Sequence, residues 1–212
     1  MKAAVLRAFV LVVFVTGLAG AQQPAPAPAP AAPPASGFRA EFLRQLDDVE
    51  NKIVSLAEAV PQEKYGWRPG EGVRSVSEVY MHIVGGNFFL LRFAGVQPPS
   101  SVLRETENVV VVARNMEKTV TDKAQVVDWL KKSFAHVRQA VINTPDSDLD
   151  KPVKLFGQDA TVREVFFLVA NHMHEHLGQS IAYARSNGVV PPWTAARQAQ
   201  PQPPPQPPKP KQ

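Results

Sequence analysis

From Phe38 to Val60 the apolar residues Phe38, Phe42, Leu46, Val49, Ile53, Leu56 and Val60 recur every three or four positions. That spacing follows the 3.6-residue helical turn, so these side chains form one stripe down a helix and require a partner surface. Pro61 ends the stripe. After the loop QEKYGWRPGEGVR, Ser75-Val76-Ser77-Glu78 forms a capping box that should open a second helix reaching about Phe93, closed by Pro98 and Pro99. A third helix is expected from about Thr121 to Asn143, with Ala124, Val127, Leu130, Phe134, Val137 and Val141 facing inward. A second capping box, Thr161-Val162-Arg163-Glu164, opens a last helix through Tyr183 and Arg185, which Asn187-Gly188 stops, with Pro191 and Pro192 just beyond. Residues 100–120 carry the weakest signal. Val109 to Val112 suit a short strand by composition, but a lone strand has nothing to pair with. Helices of about 20 residues without a convincing strand pattern predict an all-α fold, a four-helix bundle over residues 37–195 with a long crossover connection.

The flanks read differently. Residues 1–21 place Lys2 and Arg7 before the apolar run Ala8 to Leu18 and end in Ala19-Gly20-Ala21, the layout of a cleaved secretory signal. The run is shorter than the ~20 residues a spanning helix needs, so no membrane span is expected after cleavage and the mature chain should be periplasmic or secreted. Residues 22–36 (QQPAPAPAPAAPPAS) form a Pro/Ala-rich linker, and 196–212 form a Pro/Gln-rich tail. Of the 21 prolines, 13 lie in residues 22–36 and 198–212, a density that favours extended, disordered spacers over a packed core. A ligand for a proline-binding groove is the other use of such a sequence.

Charge and cysteine content narrow the function. With no cysteine, disulfide scaffolds and thiolate metal sites are excluded. The net charge of +4 would suggest an anionic partner, but five of the 23 basic residues (Lys2, Arg7, Arg197, Lys209 and Lys211) lie in the flanks, leaving 18 against all 19 acidic ones in the bundle. No basic stripe remains on a folded face, which argues against nucleic acid as a partner.

Three of the five histidines fall in His172-Met173-His174-Glu175-His176. At about 100° per residue, His172 and His176 share a face while His174 points away from it. The stripe that carries the pair also carries Val165, Leu168, Val169, Gln179 and Tyr183, so it faces inward. Two imidazoles one turn apart can hold one divalent cation, which would relieve the cost of burying them. His82, on the inner stripe of the second helix one turn before Gly86, is the candidate third ligand. His136 is the runner-up and, with His174, is expected to face solvent. Taken alone, His82 also fits a satisfied core histidine, and the pair also fits two surface or stacked imidazoles.

The order of Trp67-Arg68-Pro69, Gly72-Val73-Arg74-Ser75, Glu78 and His82, followed by Gly157, Thr161, His172, His176, Gly178-Gln179 and Asn187-Gly188, resembles the DinB family of YfiT-like metalloenzymes. The resemblance spans nearly all of residues 38–193. It implies a four-helix bundle holding a divalent metal, often zinc or nickel, with His82, His172 and His176 at the ligand positions. Family members of known activity include S-transferases and isomerases that use bacillithiol, mycothiol or ergothioneine precursors. Those thiols are cytosolic and this chain carries an export-type leader, so the resemblance implies fold and metal rather than reaction.

A three-histidine set leaves a zinc-like ion an open position, as in catalytic sites, and nitrogen ligands alone do not select one metal. The reaction types on offer are attack by a metal-activated water or by a substrate thiol. Glu175, on the flank of the ligand face, is the candidate general base, the other reading being a surface residue or one that supports a ligand; His172-x-x-Glu175-His176 formally matches the inverted zinc-peptidase pattern, but no downstream glutamate ligand follows. Gly85 and Gly86, each costing about 1 kcal/mol inside a helix, should either open a pocket above the metal or allow close helix packing. Trp67, Trp129 and Trp193 read as packing residues, while Arg74 and Asn87 are within range of a substrate by position only. The expected function is a metal-dependent hydrolase or transferase acting on a small molecule. The alternative is a noncatalytic metal- or ligand-binding module of the cell envelope. A second copy of the chain, as a homodimer, is the other expected partner.

Overall fold

A computed structural model describes residues 32–200 of the protein. The expected signal (1–21), most of the linker (22–36) and the tail beyond residue 200 lie outside the described residues. Four long helices form the bundle: α1 (Gly37–Ala59), α2 (Val76–Leu90), α4 (Lys123–Asn143) and α5 (Val162–Ser186). A further helix, α3 (Val109–Thr119), lies in the crossover between α2 and α4, and a short α6 (Pro192–Gln198) follows α5. Among the described residues no helix is long and apolar enough to cross a membrane.

Both capping boxes form. The Ser75 and Thr161 hydroxyls accept from Glu78 N and Glu164 N at 3.3 Å, while Glu78 Oε2 and Glu164 Oε2 accept from the cap backbones at 2.7 Å. The expected α1 stripe is the buried face: Leu46, Val49, Ile53 and Leu56 are essentially inaccessible. It meets Leu130, Phe134 and Val137 of α4 and Phe166, Val169 and Met173 of α5 in one core. Each such side chain contributes about 1.5–3 kcal/mol by leaving water. Both α1 and α2 pack against α4 and α5, so α1 faces α2 across the diagonal of the bundle.

Three features depart from the sequence expectation. Val109–Val112 is the first turn of α3, because the Asn108 side chain caps it, accepting from Val110 N at 2.9 Å and Val111 N at 3.4 Å. The β-rich composition loses to that cap and to packing on α2. A hairpin also forms where no strand was expected: β1 (Pro152–Leu155) pairs antiparallel with β2 (Gln158–Thr161), Val153 facing Ala160. Four-residue strands are too short for alternation to register in sequence. Their two-residue turn, Phe156-Gly157, has φ of +49° and +85°, the signature of a primed hairpin turn. Holding a phenylalanine there costs roughly 1–2 kcal/mol. Finally, Pro192 starts α6 rather than merely breaking α5, carrying helix past the expected boundary at residue 195.

Candidate metal centre

The site begins with helix periodicity. On α5, His172 and His176 are one turn apart with ring centroids at 4.6 Å, and α2 runs alongside, bringing the His82 ring to 5.1 Å from His172 and 4.7 Å from His176. One nitrogen from each ring falls within 4.8 Å of the other two, a cluster able to hold a metal ion. His82 Nε2 and His172 Nε2 stand 3.3 Å apart. Nitrogens each about 2.0–2.1 Å from a tetrahedral zinc lie roughly 3.3 Å from one another. The three residues expected from the sequence therefore converge.

The outer nitrogens explain why the inner ones face a common point. Glu117 on α3 accepts from His82 Nδ1 at 2.8 Å. Gln179 Oε1 stands 2.8 Å from His176 Nδ1, and the Gln179 amide donates to Tyr183 Oη at 3.0 Å. A carboxylate and an amide oxygen only accept, so each Nδ1 carries the proton and each Nε2 presents a lone pair. His172 has no such support: its Nδ1 is buried without a partner among the described residues. Burial, followed by the neighbouring His176, His82 and Arg74, pulls its pKa down to about 3. Burial also lowers that of His176, although the Gln179 bond opposes the shift. Both rings are thus neutral near pH 7, the form that ligates metal. The residues present fit a divalent cation.

Glu117 is the functional residue the sequence reading missed. Burial alone would raise its pKa, but hydrogen bonds from His82 and from Arg74 Nε at 2.9 Å outweigh burial and hold the carboxyl ionised below its usual range. Its signal was a lone acid on an apolar helix face beside Val109, Ala113, Met116 and Val120, invisible while residues 100–120 were not read as helix. Glu78, buried at the start of α2, pins α3 by accepting from Lys118 Nζ at 2.7 Å and pairs with Arg68 at 3.2 Å.

Beside the histidines lies a cavity of about 400 Å³. Two facing helical stripes build it: His82, Gly85, Gly86, Phe89 and Leu90 from α2, and Val110, Ala113, Arg114 and Glu117 from α3. Both readings of the paired glycines find a counterpart. A Cβ on Gly85 would stand 2.8 Å from Ala113 Cβ, so Gly85 permits close packing of α3 on α2. A Cβ on Gly86 would stand 2.7 Å from His172 Nδ1 and 3.0 Å from its Nε2, so Gly86 makes room for a ligand ring.

Glu175 is exposed and does not line the cavity; it reaches the site only as a charge acting through space on His176. The general-base part expected of it has no support in that position, because its place on the α5 wheel turns it to solvent. His174 is exposed as expected, its Nδ1 bonded to Ala170 O at 2.9 Å. His136 does not face solvent: its ring packs 5.2 Å from Phe88 and its Nε2 is buried without a partner. The α4 face is wide enough to draw it in beside Phe134 and Val137. Arg74 lines the cavity, whereas Asn87 is buried against Ser133 at 3.1 Å. Trp67, Trp129 and Trp193 pack at the edge of the core.

A DinB superfamily profile matches residues 45–180. The chain is 26% identical over 142 residues to the Bacillus subtilis (strain 168) protein YjoA, an alignment covering 65% of this chain and 83% of YjoA. The crystal structure of a DinB-like protein from Bacillus cereus ATCC 10987 shares the fold, with a TM-score of 0.59 at 20% identity, covering 71% of this chain and 93% of that one. A YjoA crystal structure aligns with a TM-score of 0.48 at 21% identity, over 71% of this chain and 94% of that one. The profile spans the helices that carry His82, His172 and His176, and the chain belongs to the DinB superfamily.

Proposed function

We propose that this protein is an exported, divalent-metal-dependent hydrolase or group transferase that acts on a small substrate in the cavity beside His82, His172 and His176. The observation that carries the reading is the pair of buttressed imidazoles, His82 on Glu117 and His176 on Gln179, whose free nitrogens point with His172 at one location next to that cavity. Zinc or nickel is the cation of this reading. Such a cation supplies Lewis acidity, making a hydroxyl or thiol that approaches it ionisable near neutral pH.

The chain's own residues supply the rest. Glu117 and Gln179 fix the tautomer of the rings they hold. Arg74 keeps Glu117 ionised and so keeps the proton on His82 Nδ1. Phe89, Leu90 and Val110 give the cavity a carbon wall of low dielectric, which strengthens charge interactions beside it. No proton transfer is assigned to Glu175. Export rests on the sequence of residues 1–21, and a homodimer belongs to the same reading; N-terminal sequencing of secreted material and sedimentation test these two points.

The deciding experiment is elemental analysis of the purified protein beside His82→Ala. The expected result is about one divalent cation per chain, lost in the variant. Metal at trace level in both, or equal in both, would overturn the proposal. A chain that holds its cation yet turns over no ester, amide or thiol-transfer substrate is a binding module instead.

A further inference from the structure

The cavity holds more information than its metal end. Its walls are mostly carbon: Phe89 and Leu90 on α2, Val110 and Ala113 on α3, and Phe156 at the hairpin tip. Its charged lining comprises two guanidiniums, Arg74 and Arg114, against one carboxylate, Glu117. Arg74 already donates to Glu117. Arg114 is exposed, makes no ion pair among the described residues, and stands one turn from Glu117 on the cavity face of α3. Low-dielectric walls with an unpaired cation at the rim concentrate the field on whatever enters, which favours an anion over a neutral or cationic ligand.

Phe156 supplies a second, independent observation. Large apolar residues with positive φ are rare, and this one is 61% exposed. Neither turn geometry nor core burial calls for phenylalanine there; Asn or Gly suits the turn better. Its ring leans on Phe93 at 4.8 Å and on Phe89 at 6.2 Å, and it lines the cavity. An aromatic held in that conformation at the rim of an apolar hollow is placed as a contact surface.

We infer that the substrate class is a small amphipathic monoanion, its apolar body lying between Phe89, Val110 and Phe156 and its anionic group paired with Arg114. The inference rests on the proposed metal centre only for the donor end of the ligand, which reaches the histidines first. Arg114 and Phe156 are then the specificity-determining residues, and neither touches the metal ligands.

The test is calorimetric titration of the full chain as purified with 6-mercaptohexanoate and with 6-mercaptohexan-1-ol, which share a thiol and an alkyl body and differ in the anion. The acid is expected to bind about tenfold more tightly, a difference worth ~1.4 kcal/mol. In Arg114→Gln, an exposed change, the two ligands should bind alike. In Phe156→Gly, which suits the turn, both should weaken severalfold while the unfolding temperature does not fall. Equal affinities in the unaltered protein, or a preference that survives Arg114→Gln, would overturn the inference. Elemental analysis of the same sample separates the two proposals. Metal without anion preference overturns only this inference, and anion preference without metal overturns only the metal reading.

Discussion

Gly86 of α2 and His172 of α5 compete for one volume: the imidazole occupies the place a side chain at 86 would need. In an ordinary helix interior Gly→Ala gains up to about 1 kcal/mol. Here that gain is opposed by displacement of a ligand ring. Gly86→Ala should therefore lower metal affinity at least tenfold with little net change in stability. In a His172→Ala background, the same Gly86→Ala change should stabilise the protein by up to about 1 kcal/mol. Metal titration and denaturant unfolding of the four proteins check both signs.

Glu117 holds His82 in the tautomer that presents Nε2. Glu117→Gln keeps the shape but removes the charge and leaves one acceptor oxygen for two donors, His82 Nδ1 and Arg74 Nε. Losing such a buttress lowers metal affinity about 10–100-fold. Glu175→Gln, altering an exposed residue outside the cavity, should change it less than twofold. A competitive chelator assay measures both.

Glu78 gives a dependence on pH. Burial would raise its pKa, but the bonds from Lys118 and Ser75 N and the nearby Arg68 outweigh burial and lower it. A carboxyl with a depressed folded pKa contributes stability above its unfolded pKa, near 4.3, and loses it as pH falls through the lower folded value. Glu78→Gln should be less stable than the unaltered protein by about 1 kcal/mol at pH 7. That gap should close below about pH 4, as followed by urea unfolding across the range.

His136 should behave in the opposite sense on substitution. Burial lowers its pKa and its Nε2 lacks a partner. Below the unfolded value near 6.5 the unfolded chain takes up the proton more readily, so the folded state loses stability as pH falls. His136→Leu should therefore stabilise the protein by roughly 1 kcal/mol at pH 7 and by more at pH 5. Thermal unfolding at the two values tests the difference.

The bundle was legible because its signals are local and repeated: the α1 stripe and the boxes at Ser75 and Thr161 need no knowledge of tertiary neighbours. The ligand trio was legible for the same reason, since the α5 pair follows from one helical turn. Glu117 and Arg114 were not, because their helix depends on a cap at Asn108 and on close contact between Gly85 and Ala113. Neither the cap nor that approach shows in an apolar count. His136 marks the limit of the helical wheel, which gives an angle but not the width of the neighbour that covers it. The hairpin was missed because Phe156-Gly157 places a large side chain where turn chemistry favours a small one.

The crossover helix α3 packs on the outer side of α2, held there through the gap left by Gly85 and through Lys118 on Glu78. Two of the three imidazoles belong to α5 and one to α2, while the opposite wall of the hollow is carried by a segment that adds little to the interior of the protein. Division of labour follows: Val110 and Arg114 can be exchanged to retune what is admitted, as a lock is rekeyed without rebuilding the door, provided the small Ala113 and the acid at 117 are left in place.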